Sequence, residues 1–429
     1  MGKIIKLFGI LIFSLLIAAA WFMWPIYGFF SHRGEAPMLP FGWVEIGDTV
    51  PAAGHASDPQ FSAAGNKALE AMVLHRKTIN APGISAAVAV GGEIVWQGAA
   101  GFADIAEGRA ATADMVLRVG STSKAITATA LARLVQQDEI DLDESIATYL
   151  GTLPNEAWAS ITPRMLASHM AGIPHYNSND DNDGLMVSMK LNKAYDDIRD
   201  ALDQFDESAL RFEPGTDFEY SSLGTVLLGA VMSEALDKPY RDIIRDEVLL
   251  PAGASATIVA PRNMRGDNFA TPYYTENDRH RPWRRVDLSH RLPGGGWAST
   301  STDLVRIGSL WLDDEFISPA TRDMFWEPQV LSNGEVNDQD YALGWRWRNW
   351  EIDGVGLARN ANHGGVSRGG QSWLLVYPDY DMAIAYNMNG RTEEFRPFAE
   401  LHDRLFTPFA QTINDISAER PAPPLEGVN

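Results

Sequence analysis

The sequence predicts an α+β protein in which an antiparallel sheet is flanked by N- and C-terminal helices and an all-α subdomain is inserted between the two portions of the sheet. Strand patterns stand at both ends of the chain, over 84–97 and again over 342–386. The long stretch between them carries helical spacing and no strand pattern of comparable strength. Helical segments precede the first strands and follow the last, and that order fits a sheet with helices packed on one face.

The N-terminus carries Lys3 and Lys6 ahead of an uncharged apolar run from Leu7 to about Phe30, long enough to span a bilayer as a helix. Residues 1–31 read as an anchor with its N-terminus in the cytoplasm, because the lysines lie on that side and the run continues through Trp21, Phe22, Met23, Trp24 and Ile26. A cleaved signal peptide is the rival, with Ala18-Ala19-Ala20 as its small residues. Both export the remainder, which in a bacterium means an inner-membrane protein with its folded part on the periplasmic side, or a secreted one. Residues 32–58 read as a linker, 59–415 as the folded domain with its helical part at roughly 138–290, and 416–429 as a loose tail.

Within that domain, Phe61, Leu69, Met72, Val73 and Leu74 mark a helix over 60–79. Gly91-Gly92 joins strands 84–90 and 93–97 in a tight hairpin. A buried, Ala-rich helix begins near Ser121. Residues 138–150 form a turn and a short helix, and Thr162-Pro163 caps another that stops before Gly172. Helices follow over 194–210 and 221–250. Strands return at 342–348, with Trp345 and Trp347 on one buried face, and at 371–377 and 382–386, before a last helix over 394–415.

The formal charge of −21 opposes nucleic-acid binding. The absence of cysteine excludes disulfides, a thiolate nucleophile and Cys-ligated zinc, and the nine histidines show no tight metal spacing. No metal or cofactor is expected. What remains is side-chain chemistry. Ser121 and Lys124 stack on one face of a helix's first turn, a nucleophile beside an amine that burial and the helix N-terminus would keep uncharged. Tyr220-Ser221-Ser222 precedes a helix start; a phenol beside a lysine exists partly as phenolate and relays protons, unless it merely packs at the junction. His363-Gly364-Gly365 lets a backbone N–H approach a substrate while the imidazole adds a hydrogen bond, unless it is an ordinary turn.

Ser121-Thr-Ser-Lys124, Tyr220-Ser-Ser222 and His363-Gly-Gly365 resemble, in order and approximate spacing, the motifs of the serine β-lactamase and penicillin-binding-protein superfamily. The likeness is to its class C β-lactamase, D,D-peptidase and esterase branch, the S12 peptidase type, over about residues 60–410. The stretches 166–176 and 294–303 are most similar to the β-lactamase-like proteins of mitochondria and bacteria. The resemblance implies the β-lactamase/transpeptidase-like fold and an acyl-enzyme: Ser121 attacks an amide or ester carbonyl, Lys124 and Tyr220 share the proton transfers, and the N–H groups of Ser121 and Val366 hold the oxyanion. Ser222, His363, Gly364 and Gly365 would then contact substrate. Two positions depart from the family pattern, Ser222 replacing its Asn and His363-Gly364 its Lys-Thr. A short hydroxyl and a neutral imidazole hold an amide and a carboxylate less well, which favours esterase or peptidase action on other small-molecule or peptide acyl groups over efficient β-lactam or D-Ala-D-Ala hydrolysis. The alternative is a weak or inactive penicillin-binding-like scaffold protein of the cell envelope, against which the intact Ser121, Lys124 and Tyr220 argue. Oligomeric state is not legible.

Other motifs compete. Gly365-Val-Ser367-Arg-Gly369 matches a nucleophile elbow, with Asp379 or Asp381 and His402 in triad order, but Ser367 runs into a strand pattern where a helix is required. Asn179-x-Asp181-x-Asp183-Gly184 imitates a calcium loop with Lys190 at its twelfth position, and reads as a solvated acidic loop. His169 and His175 read as structural. The basic and aromatic run 279–285 reads as a solvated loop pairing with nearby acids, the alternative being anionic substrate or lipid headgroups.

Overall fold

The computed structural model of the chain describes residues 2–31, 37–47, 49–176 and 193–419. The calcium-like loop lies outside them. A hairpin sets the frame: β3 (Gly83–Val90) and β4 (Glu93–Asp104) meet across Gly91 and Gly92, both at positive φ, which glycine adopts without strain. On the other side of β3 the chain brings back its last strands. β14 (Met382–Met388) pairs with β3, β13 (Gly370–Tyr377) with β14, β12 (Gly356–Ser367) with β13 and β11 (Arg346–Ile352) with β12, all antiparallel. β2 (Ala52–Ala56) covers the opposite edge and β5 (Arg109–Ala110) pairs with the end of β4, which completes eight strands.

Both faces of the sheet are buried, so its central strands read as near-continuous apolar runs. Ile84, Ala86, Val88, Leu375 and Ile384 face α2 (Ser62–Thr78) and the C-terminal helix, which contribute Met72, Leu405 and Phe409. Ala87, Ala89, Leu374, Val376, Ala383 and Ala385 point the other way. Small side chains on that face let a helix over Ser301–Ser309 come close enough that a Cβ on Gly308 would sit 3.2 Å from that of Ala383. The same core continues into α3 (Ser123–Gln136), buried on most sides, and into the helical block. There Thr162 caps Met165 with Pro163 at the first helical position, and Ser221 caps α4 (Ser222–Leu236) by accepting from Gly224 N–H.

Several boundaries differ from the sequence reading. α3 is preceded by a 3-10 turn over Gly120–Thr122, so Ser121 sits in that turn. The segment 194–210 contains only a 3-10 helix, Arg199–Gln204. The block expected to be all-α over 138–290 is helical as far as Ala252 and then yields β7 (Ile258–Val259), β8 (Tyr273–Glu276) and β9 (Arg279–Pro282), strands too short to show alternation. β7 joins β10 (Trp297–Ser299) and β6 (Leu117–Arg118); β9 lies between β8 and β1 (Val44–Glu45). The linker therefore supplies two strands, β1 and β2, at its end. The strand expected over 342–348 starts at Arg346, because Gly344 turns the chain at φ 77° and Ala342 N–H bonds to Trp345 O. Trp345 is buried ahead of it while Trp347 stacks on Trp326 at 5.6 Å. His363-Gly364-Gly365 lies inside β12, where pairing on both sides outweighs the poor strand propensity of glycine. The C-terminal helix runs over His402–Glu419, into the stretch read as tail.

α1 spans Gly2–Ser31, and its exposed apolar part, Ile5–Gly28, is long enough to cross a membrane; a signal sequence would look the same. Part of the basic run 279–285 lies on aromatic rings. Arg279 lies over the ring of Trp43 at 4.8 Å and Arg281 over that of Phe41 at 5.8 Å, with Arg281 also donating to Leu39 O.

Trp311 anchors the helical block. It is fully buried among Phe325, Trp326 and Trp345 and donates to Thr129 Oγ1 at 2.8 Å. Trp311→Ala should cost about 3–5 kcal/mol of stability, read as a lower urea midpoint.

Candidate active site

The site begins with two glycines. Gly120 has φ 54°, and a Cβ there would lie 2.5 Å from Val366 O; a Cβ on Gly365 would lie 2.0 Å from Val119 O and 2.9 Å from Ser121 N. Only glycine permits that approach, and it lays the backbone of 120–122 directly on β12. Thr122 Oγ1 fastens the contact by donating to His363 O at 3.2 Å, and Ser372 Oγ by donating to Val119 O at 2.6 Å. Ser121 and Val366, both accessible, thereby line one cleft of about 250 Å³ together with Tyr220 and Ser222.

Lys124 is 1% exposed, three residues after Ser121. Its Nζ lies 2.8 Å from Ser222 Oγ, 2.9 Å from Gly294 O and 3.5 Å from Ser121 Oγ. Among the described residues no carboxylate pairs with it. Burial holds its pKa well below that of a free lysine, and the positive charges of Arg346 and Arg291 push the same way. An uncharged amine has two N–H bonds and one lone pair. With Ser222 Oγ and Gly294 O taking the N–H bonds, the lone pair is left for Ser121 Oγ.

Tyr220 lies with its ring centroid 4.7 Å from Lys124 Nζ and lines the cleft beside Ser121 and Ser222. Burial raises its pKa, and Arg346 with the neighbouring hydroxyls of Ser121 and Ser222 offsets that only in part. The phenolate expected from the sequence is thus not the form present. Arg346, 5.5 Å from the ring, favours the phenolate, but burial is the larger influence.

His363 is the second correction. It is fully buried 6.4 Å, ring to ring, from Tyr220 and does not line the cleft. Its Nδ1 donates to Gly364 O at 2.8 Å, which fixes the tautomer and leaves Nε2 to accept from Tyr341 OH at 2.8 Å. The imidazole is a support and offers no hydrogen bond to a ligand. Gly364 points to the opposite face, where a Cβ would meet Phe395 at 2.5 Å, so it has no part in the cleft.

His169 and His175 do structural work at close quarters. His169 Nδ1 accepts from Ser221 N–H at 3.3 Å and His175 Nδ1 from Ser222 N–H at 3.1 Å, so the two rings hold the segment that carries Tyr220 and Ser222. Both must be uncharged to accept, and burial lowers both, His175 to about 4. Ser367 lines the cleft but ends β12 in a hairpin into β13 through Gly369 at φ 74°, and no helix follows it. Asp379 is paired with Arg359, and His402 with Tyr377 and Asp403. The elbow reading has no geometry.

The sequence reading missed the charge of the cleft. Arg291, Arg368 and Arg391 line it and, among the described residues, no Asp or Glu does, in a chain of net charge −21. Arg291 lies 4.1 Å over Tyr176 and Arg391 5.5 Å over Trp283, each side chain steadied by a ring. Such a cleft attracts anions. The three arginines come from separate loops, and nothing local in the sequence marks them as neighbours.

A family model described as Beta-lactamase matches residues 69–406. A penicillin-binding protein of Bacillus subtilis (strain 168) is 28% identical over 317 residues, which take in 70% of this chain and 66% of that protein. The human serine beta-lactamase-like protein LACTB, mitochondrial, is 26% identical over 398 residues, 72% of this chain and 71% of that one. Among solved structures, the D-amino acid amidase of Ochrobactrum anthropi SV3 superimposes with a TM-score of 0.66 at 22% identity, covering 83% of this chain and all of the amidase.

The electrostatics of Lys124 lead to a pH test. Arg346 disfavours the ammonium form, so Arg346→Gln should raise the Lys124 pKa and keep the amine protonated to higher pH. The acid limb of kcat/KM for ester hydrolysis should move to higher pH in that variant. A limb that stays in place would detach it from Lys124.

Proposed function

The chain belongs to the beta-lactamase family, and from that premise we propose that it is a serine hydrolase that cleaves ester or amide bonds of small anionic acyl substrates through a Ser121 acyl-enzyme. The observation that carries the reading is the buried Lys124 amine, its pKa lowered by burial and its Nζ 3.5 Å from Ser121 Oγ. Ser121 Oγ attacks the substrate carbonyl as its proton passes to Lys124 Nζ, a contact that at 3.5 Å tightens on binding. The oxyanion forms where the backbone of Ser121 and Val366 comes together, and their N–H groups are its donors. The new ammonium stands in surroundings that disfavour charge, so it gives the proton up readily. Tyr220, a neutral phenol in contact with Ser121, passes a proton to the leaving alcohol or amine and is restored from Lys124. Water then attacks the acyl carbon, its proton follows the same route in reverse, and Ser121 Oγ is regenerated.

The arginines refine the substrate class. A family lysine that would meet a substrate carboxylate is replaced by the buried His363, and the positive charge of this cleft stands on Arg291, Arg368 and Arg391 instead. A carboxylate on the substrate is accordingly favoured, where the sequence alone spoke against it. The apolar α1 supports export of the domain, as an anchored or a released enzyme.

Ser121→Ala should lower p-nitrophenyl ester turnover by about a thousandfold or more and abolish fluorophosphonate labelling. Turnover that persists would place the nucleophile elsewhere. For charge, p-nitrophenyl esters of succinate and butyrate differ by one carboxylate. The succinate should have the higher kcat/KM, and Arg391→Gln, which leaves the surroundings of Lys124 intact, should reduce that preference by roughly tenfold. Equal rates on both esters in the parent protein would remove the anionic class.

A further inference from the structure

The hairpin β8–β9 stands beside the exit of α1. A Cβ on Gly28, near the end of α1, would lie 3.5 Å from Arg284 Cδ, and Tyr27 OH donates to Pro37 O. The chain then runs under the hairpin: Arg281 donates to Leu39 O, Phe41 is 63% exposed beneath the Arg281 guanidinium, Trp43 lies under that of Arg279, and β1 pairs with β9. Glu45 and Glu276 are the cross-strand neighbours of Arg279, yet among the described residues neither carboxylate reaches salt-bridge distance of it. Cations stacked on aromatic rings, with an exposed Phe among them, make an amphipathic surface suited to the boundary between headgroups and acyl chains.

We propose that the face formed by Arg279, Arg281, Phe41 and Trp43 docks on anionic phospholipid headgroups of the bilayer that α1 enters. The inference rests on the reading of α1 as an anchor. Its consequence for the enzyme follows from a line of rings. Trp43 lies 6.1 Å from Tyr274, Tyr274 lies 5.6 Å from Trp283, and Trp283 lies under Arg391, which lines the cleft. Docking therefore fixes the cleft close to the membrane surface, where amphiphilic anionic substrates concentrate.

The chain has no cysteine, so a single nitroxide at Phe41→Cys reports this face in the full-length protein. In nanodiscs of phosphatidylcholine with 30% phosphatidylglycerol, the ratio of oxygen to nickel-chelate collision should rise at least twofold over pure phosphatidylcholine. Arg279→Glu with Arg281→Glu should return it to the phosphatidylcholine value while ester turnover, which uses neither residue, persists and shows the fold intact. A label equally accessible to the chelate in both lipids, or one whose immersion ignores the charge reversal, overturns the proposal. Flotation with phosphatidylcholine vesicles reads α1 separately. A chain that does not float there lacks the anchor, and the docking face falls with it unless phosphatidylglycerol vesicles retain the chain.

Discussion

The site depends on one buried amine that meets no carboxylate among the described residues. A lysine in an apolar interior either finds a carboxylate or gives up its proton, and Lys124 is built for the second outcome. Its nearest charged neighbours, Arg346 and Arg291, are cations, and the rings around it, His169, His175 and His363, are themselves held neutral by burial. The hydrogen-bond partners of Nζ are two hydroxyls and one carbonyl, and among the described residues no carboxylate joins them. A lysine so placed weakens the fold locally, as desolvated groups at functional sites often do.

The sheet supplies the geometry. β12 is not an edge strand; it is paired on both sides, and that stiffness lets its backbone serve as a wall. Gly120 and Gly365 then remove the two Cβ atoms that would hold the nucleophile's turn away from that wall. On the far side of the cleft, two histidines take the N–H groups of Ser221 and Ser222, so the Tyr220 segment is fixed by its backbone and its side chains are left for the substrate.

What could be read from the sequence follows the range of the interactions. Ser121 and Lys124 were legible because three residues on one turn fix their relation locally, and the two-ended sheet was legible because its strands are long. The protonation state of Tyr220 was not legible, since burial raises its pKa and Arg346, more than a hundred residues away in sequence, acts against that. His363 was read as a ligand group because a motif gives no account of which neighbour takes each ring nitrogen; Tyr341 and Gly364 take both. The strand over Gly356–Ser367 was missed, as its glycines and asparagines are poor strand formers made regular by partners on either side. The arginines of the cleft were invisible for the same reason that loops converge: their proximity is a property of the fold alone.

The pairing of β14 with β3 carries a temporal consequence. Ala385 meets Ala87 and Ile384 meets Val88, so the middle of the sheet joins segments from opposite ends of the domain. Contacts of such long sequence separation form late, because a large loop must close before they gain anything. β12, which completes the cleft, lies on the C-terminal side of that seam. A chain threaded N-terminus first across a membrane would thus display Ser121 and Lys124 long before it could use them, and hydrolytic competence would arrive in one step when the last strands dock. The cleft is thus a product of the completed topology, assembled only when both ends of the domain have met.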